Sequence, residues 1–251
     1  MLWKLERMKS LALITLDSLR YDVALHCESH YTAPNLRELG IWRKCFAPGH
    51  YTLPSHMSML VGGILPENHG DEALYNRARG ALFGYEGWGR RGRYQLPAES
   101  SSVVNGFERM GYHTIGIGGV GWFGKRPTSA MWAEMFQWWQ WDESYHELNP
   151  ASFERQLDDL MVVRGVPTFL FLNVSATHRP YRGADLTVDA QIKALEYVDR
   201  HIPTLIERLP HPCTLIICGD HGDCMGEDGL SGHGFYHEKV MEVPMMITEI
   251  E

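Results

Sequence analysis

The sequence predicts an α/β fold: a three-layer sandwich whose central, mostly parallel sheet is flanked by helices. Three observations carry this. Residues 11–16, 168–174 and 214–218 are near-continuous apolar runs of strand length, as in strands buried on both faces. Helical patterns alternate with them. Each run also delivers chemistry-bearing residues just past its C-terminal end, where open α/β sheets bind ligands: Asp17, then His178, then the Asp220-His221 pair.

The elements follow in order. After the first strand, residues 34–40 read as a short helix closed by Gly40, and residues 42–46 as a short strand leading to Thr52. Thr52-Leu53-Pro54-Ser55-His56-Met57-Ser58-Met59-Leu60 reads as the start of a helix. Pro54 suits a first turn, Met57, Leu60 and Val61 recur at helical spacing, and Gly62-Gly63 ends it. Thr52 then sits at or just before a helix N-terminus. It is either the N-cap, the commonest role of threonine there, or a nucleophile whose alkoxide the site stabilises. Residues 71–100 hold no periodicity and carry Arg77, Arg79, Arg90, Arg91 and Arg93. They read as a long surface excursion of the kind that forms lids and binding loops, with arginines that are either solvated or paired with an anionic substrate.

Residues 101–110 form a helix stopped at Gly111, and residues 112–117 a short strand. Gly116-Ile117-Gly118-Gly119-Val120-Gly121 matches G-x-G-x-x-G, with Asp142 downstream. The strand is very short, however, and Lys125-Arg126-Pro127 interrupts the helix a dinucleotide site needs, so a tight turn explains the glycines. Trp132, Trp138, Trp139 and Trp141 read first as a packed satellite core, otherwise as a surface for homo-oligomer formation or a substrate wall. Residues 188–209 carry the longest helical pattern, with Ile192, Leu195, Val198, Ile202, Leu205 and Leu209 on one face and Pro203 as a point of kinking. Residues 243–248 are the last strand. No repeat, low-complexity tract or dividing linker occurs, so one domain over residues 1–251 is expected.

The formal net charge of −8 excludes the basic surface of a nucleic-acid or acidic-membrane binder. No run approaches membrane-spanning length, and the first apolar run is too short for a secretory signal. The 5 cysteines contain no C-x-x-C and fit reduced thiols, hence a cytoplasmic location.

Two carboxylates and an imidazole make a site for a divalent metal. Asp17, Asp220 and His221, with Thr52 as a fourth ligand, suit zinc first and manganese second. Calcium ranks third because it prefers an all-oxygen shell. Singly, Asp17 could cap a turn, and His178 and His221 could be satisfied structural histidines. Their joint placement at three strand ends carries the metal reading.

Five segments occur in order over nearly the whole chain. The first is Leu13-Ile14-Thr15-Leu16-Asp17-Ser18 with Arg20-Tyr21-Asp22, and the second is residues 52–60 followed by Pro66-Glu67-Asn68-His69-Gly70. The third is Gly111-Tyr112-His113-Thr114, and the fourth is His178-Arg179-Pro180-Tyr181 with Tyr197-Val198-Asp199-Arg200. The fifth is Gly219-Asp220-His221-Gly222 with Gly232-His233-Gly234 and Val243-Pro244. Together they resemble the alkaline phosphatase/sulfatase superfamily, and within it the sulfatase-like branch. The resemblance implies an alkaline phosphatase-like sandwich and a metal-dependent hydrolase of small anionic esters. It places Asp17, Asp220 and His221 at the metal and Thr52 at the nucleophile position. His178 and His233 would face the substrate's anionic oxygens or hold a second metal. Two other readings stay open: a phosphotransferase or mutase using the same site, and a non-catalytic anion-binding or interaction protein that keeps the fold.

Departures from the pattern sharpen the chemistry. Thr52 stands where sulfatases proper have a Cys or Ser that is converted to an aldehyde. Ser18 replaces an Asp, His56 an Arg, Gly119 a Lys and Gly121 a His, while Val174 replaces an Asp of the two-metal members. The usual C-terminal subdomain is not expected. A threonine adduct has no second oxygen on its carbon with which to expel sulfate, so phosphate-type esters are expected ahead of sulfate esters, with diesters and phosphonates favoured.

Overall fold

The computed structural model of the protein describes residues 8–62, 84–86, 93–95, 102–124, 129–162, 165–183 and 185–251. The strands in chain order are β1 (Ser10–Leu16), β2 (Arg43–Phe46), β3 (Gly84–Glu86), β4 (Arg93–Gln95), β5 (His113–Ile117), β6 (Trp138–Gln140), β7 (Thr168–Val174), β8 (Cys213–Gly219), β9 (Cys224–Met225), β10 (Ser231–Gly232) and β11 (Glu242–Ile250). The helices are α1 (Tyr21–His30), α2 (Pro34–Leu39), α3 (Thr52–Met57), α4 (Val103–Arg109), α5 (Ser129–Met135), α6 (Ser152–Asp158), α7 (Val188–Arg208) and α8 (Glu238–Met241). Seven strands form one sheet in the order β2-β11-β8-β1-β7-β5-β6. β8, β1, β7, β5 and β6 run parallel, β11 is antiparallel to β8, and β2 is antiparallel to β11. β9 pairs with β10 in a separate ribbon, and β3 with β4 in another. Apart from that β3–β4 backbone, residues 71–100 lie outside the described residues, as do Gly63 and residues 66–70.

The alternation of side chains along β1 separates two helical layers. Ala12, Ile14 and Leu16 enter one core with Val23 and Ala24 of α1, Leu36 of α2, Leu157 of α6, and Leu195, Val198, Ile202 and Leu205 of α7. Leu11 and Leu13 pack on the opposite core, built from Leu53 and Met57 of α3, Val104 of α4, Met131 and Trp132 of α5, and Phe169 and Phe171 of β7. The strands therefore read as continuous apolar runs because both faces are covered. Burial of each large side chain contributes about 1.5–3 kcal/mol.

The helical stripe expected over residues 188–209 is α7, whose 21 residues continue through Pro203 and start at the side-chain cap Thr187. Ser102 caps α4 through a reciprocal pair of hydrogen bonds with Asn105. The tryptophans follow the packed-core reading: Trp132 is fully buried, and Trp138, Trp139 and Trp141 pack half-buried against the two cores. The G-x-G-x-x-G stretch is no dinucleotide turn. A Cβ at Gly116 would lie 2.5 Å from the Trp139 ring, residues 121–124 form a turn, and Asp142 caps a short 3-10 turn through the Ser144 N–H. The helix α1 has no counterpart in the sequence reading, because it buries only Val23, Ala24 and Cys27 and starts without a side-chain cap.

Asp199, on the buried face of α7, accepts the Leu36 N–H at 2.7 Å and the Asn35 amide at 2.9 Å, and so anchors the first turn of α2. Charge-assisted bonds of this kind are worth about 1.5–3 kcal/mol. Asp199→Ala is expected to lower stability by about that much in denaturant titration while leaving metal affinity unchanged.

Candidate metal and nucleophile site

The three parallel strands β1, β7 and β8 end at one edge, and their next residues converge there. Asp17 follows β1, and Asp220 and His221 follow β8; all three are fully buried. Their potential ligand atoms lie within 4.8 Å of one another, and they are the one such grouping among the described residues. Ser18 adopts a left-handed backbone (φ 61°), unusual for a residue with a side chain. That turn aims its N–H at Asp220 Oδ1 (3.0 Å), which also accepts the His221 N–H at 2.9 Å. The other oxygen, Asp220 Oδ2, is buried with no hydrogen-bond partner among the described residues. His221 Nδ1 faces the Gly222 carbonyl at 3.0 Å, and a carbonyl can only accept, so Nδ1 carries the proton. Its Nε2 lone pair is then left 3.7 Å from Asp17 Oδ1 and 3.6 Å from Asp220 Oδ2. A buried, unpartnered carboxylate oxygen and an oriented imidazole lone pair fit a divalent cation. Without one, burial raises Asp220 to about 7, and burial together with the Asp220 charge raises Asp17 to about 6.

Thr52 lies beside this group. It is the first residue of α3, and its hydroxyl does not cap the helix. Tyr51 occupies the cap position with no side-chain cap bond, and Thr52 Oγ1 sits 3.4 Å from His221 Nε2. The cap reading is therefore corrected, because the hydroxyl points toward the candidate ligands. His178 and His233 flank the site, with ring centroids 5.4 Å apart and His233 4.4 Å from His221. They differ electrostatically. Burial opposes charge on His178, but Asp17 at 4.0 Å and Glu147 at 3.5 Å outweigh it and hold the imidazole at about 9. Burial and the neighbouring His221 hold His233 at about 4, and its Nδ1 hydrogen-bonds Asp223 at 2.6 Å.

Several residues of the site are not evident in the sequence. Asp223 fixes His233 and also accepts from Tyr181 at 3.0 Å; its one signal is a second acid three residues after Asp220. Glu147 comes from the turn before α6 and leaves no motif. Arg20, 2% exposed, forks onto both oxygens of Asp22 and reaches Glu227 and the Asp223 carbonyl, tying the loop after Asp220 to β1. At Gly119, a Cβ would lie 2.7 Å from Asn173 Oδ1. The space that a lysine would need at that position is occupied by Asn173.

The sulfatase family model matches residues 10–249. The chain belongs to the sulfatase family. No curated protein sequence matches this sulfatase-family chain. Among solved structures, the soluble domain of lipooligosaccharide phosphoethanolamine transferase A from Neisseria meningitidis is similar, with a TM-score of 0.64 at 16% identity, covering 97% of this chain and 77% of that one. The C-terminal periplasmic domain of EcEptC from Escherichia coli, solved in complex with Zn, gives 0.63 at 13% identity, covering 97% and 73%. The phosphonate monoester hydrolase of Agrobacterium radiobacter gives 0.59 at 15%, covering 96% and 68%. At these identities the likeness is one of fold.

These likenesses correct the cytoplasmic expectation. The fold of this sulfatase-family chain is shared with periplasmic domains, and with an integral membrane phosphoethanolamine transferase. The cysteines do not decide the compartment: four of the five are buried, and burial pushes Cys213 and Cys218 up to about 12, which leaves these thiols inert in either setting. Among the described residues, no helix is long and apolar enough to cross a membrane.

Proposed function

We propose that this chain transfers a substituted phosphoryl group through a covalent intermediate on Thr52, with an alcohol as the final acceptor. The observation that supports this most is the placement of Thr52 Oγ1 3.4 Å from His221 Nε2, beside the buried and unpartnered Asp220 Oδ2. Asp17, Asp220, His221 and Thr52 would hold the metal, with zinc first. Bound there, it would favour the ionised Thr52 oxygen and offset charge on the phosphoryl oxygens.

The chain's own residues then divide the work. Thr52 Oγ forms a bond to phosphorus as the donor P–O bond breaks, and protonated His178 gives its proton to the departing oxygen. In the second half the acceptor hydroxyl returns a proton to His178 as its oxygen bonds to phosphorus and the Thr52–phosphorus bond breaks. Donor and acceptor have exchanged the phosphoryl group, and the site is restored. His233, held by Asp223, closes the other side of the site. Hydrolysis is the same sequence with water as acceptor, and the fold's likeness to a phosphonate monoester hydrolase favours it as the second reading.

Metal-loaded protein supplied with an aryl phosphodiester and a primary alcohol tests the choice. The expected result is alcohol-transfer product well beyond the ratio set by the alcohol and water concentrations, lost in Thr52→Ala. A product ratio that merely follows those concentrations would move the assignment to hydrolysis. Rapid turnover of sulfate esters with many cycles per Thr52 would overturn the mechanism.

A further inference from the structure

Between their first and last residues, β1 and β7 carry one polar residue each, Thr15 and Asn173. The two are register partners across the parallel ladder, and both are fully buried. Their polar atoms belong to a single hydrogen-bond chain. Asn173 Nδ2 donates to Asp17 Oδ2 at 3.0 Å and to Thr15 Oγ1 at 3.1 Å, while Asn173 Oδ1 accepts the Val120 N–H at 3.3 Å. Thr15 Oγ1 lies 2.9 Å from His56 Nε2, and His56 Nδ1 lies 2.7 Å from the Thr52 carbonyl oxygen. That carbonyl can only accept, so Nδ1 carries the imidazole proton. In the neutral ring Nε2 is then the acceptor, and the Thr15 hydroxyl donates to it. Every proton in the chain has one placement, running from the Asp17 carboxylate to the backbone of Thr52. Phe123 and Phe171 pack against the His56 ring in T-shaped geometry at centroid distances of 5.2 and 5.4 Å and restrict its orientation.

We propose that Thr15, Asn173 and His56 are positioning residues, a hydrogen-bond chain of fixed polarity that holds Thr52 in register with Asp17. The proposal rests on the reading of Thr52 as nucleophile and Asp17 as metal ligand. The physical need for it is local. Helix α3 continues directly into a π-helical turn over Ser58–Gly62, but it has no side-chain cap at its start, so the end of the helix that carries Thr52 is left to be fixed by tertiary contacts. The chain ties that first turn to the C-terminal ends of β1 and β7, two strands paired on both sides in the sheet. An arginine at position 56, the residue the family resemblance leads one to expect, has no acceptor and could not take the Thr15 proton.

Thr15→Val removes the hydroxyl at nearly constant shape, and Thr15→Ser keeps it. Zinc alone, titrated calorimetrically into each folded variant, is expected to bind Thr15→Val about 10-fold or more weakly than wild type, as for other residues that orient a ligand, with Thr15→Ser close to wild type. Turnover of an aryl phosphodiester should fall in kcat with KM little changed, and recover in Thr15→Ser. Independently, ring-nitrogen NMR of the wild-type protein should show His56 in the Nδ1–H tautomer. An Nε2–H tautomer in wild type would overturn the proposal, and this measurement stands even if Thr15→Val does not fold. So would wild-type zinc affinity and kcat in a folded Thr15→Val that loses only melting temperature. The two readings fail differently. Full activity in Thr52→Ala removes the nucleophile while weakened zinc binding in Thr15→Val still supports the chain. A dead Thr52→Ala beside wild-type zinc affinity in Thr15→Val removes the chain alone.

Discussion

Thr52→Ala is expected to lower kcat by on the order of 10³-fold or more while the protein stays folded, as loss of a covalent nucleophile does elsewhere. A lost helix cap would cost about 1 kcal/mol of stability and leave chemistry largely intact. The structure separates the two cases in advance, because the hydroxyl faces His221 Nε2 at 3.4 Å and makes no cap bond. The melting temperature of Thr52→Ala should therefore stay within a few degrees of wild type. Thr52→Ser keeps the oxygen and should retain much of the rate. Mass spectrometry of protein quenched during turnover should find a phosphoryl adduct on the peptide containing Thr52, and none in Thr52→Ala. Equal rates in Thr52→Ala and wild type would leave the site without its nucleophile.

Chelation is expected to abolish turnover and to lower the melting temperature, and added zinc should restore both. Binding to the folded state alone stabilises by about 2.7 kcal/mol at a hundredfold excess over Kd. The pH dependence of this effect has a definite sign. In the metal-free protein, burial raises Asp220 to about 7, and burial with the Asp220 charge raises Asp17 to about 6. A raised carboxyl pKa means that the folded state holds more protons than the unfolded chain. Its stabilising contribution is full below the ordinary value near 3.8 and is lost as pH rises through 6 and 7. His56 and His233, held low at about 3 and 4, act in the opposite direction and lose stability as pH falls below their ordinary range. A difference between variants isolates the carboxylates. The margin by which chelated Asp220→Asn melts above chelated wild type should be clearly larger at pH 8 than at pH 5, yet the variant should bind zinc far more weakly. The zinc-induced rise in wild type should likewise be larger at pH 8 than at pH 5. Parallel melting curves for the two chelated proteins across this range would show that Asp220 is not a buried, unpaired carboxylate.

Much of the fold and of the ligand group is legible in the amino-acid order alone. β7 has the bounds its apolar run predicts, and β1, β8 and β11 agree to within two residues at each end. A strand covered on both faces must be apolar throughout, and such runs are hard to confuse with helices when glycine and polar residues bound them. Their ends carry Asp17, Asp220 and His221, so chain position alone brings out the group that could hold a metal. The compartment is not legible in this way, because the pattern of reduced cysteines reflects the thiols' burial and spacing rather than their surroundings. Helix α1 is not legible either, because a helix that buries only Val23, Ala24 and Cys27 shows little periodic contrast.

What the sequence by itself determined is therefore the layer order and which residues arrive at the functional edge, since both follow from apolar periodicity and from where each run stops. What only the tertiary structure decided is how those residues are wired. Thr15 and Asn173 are 158 residues apart in the chain and become partners through strand register; His56 reaches them from a helix on one face; Asp17 and Glu147 raise His178, while burial and His221 lower His233, so the two flanking histidines have opposite protonation preferences. Hydrogen-bond partners and proton positions depend on distances of a few tenths of an ångström between elements remote in sequence, and one-dimensional periodicity does not carry that information.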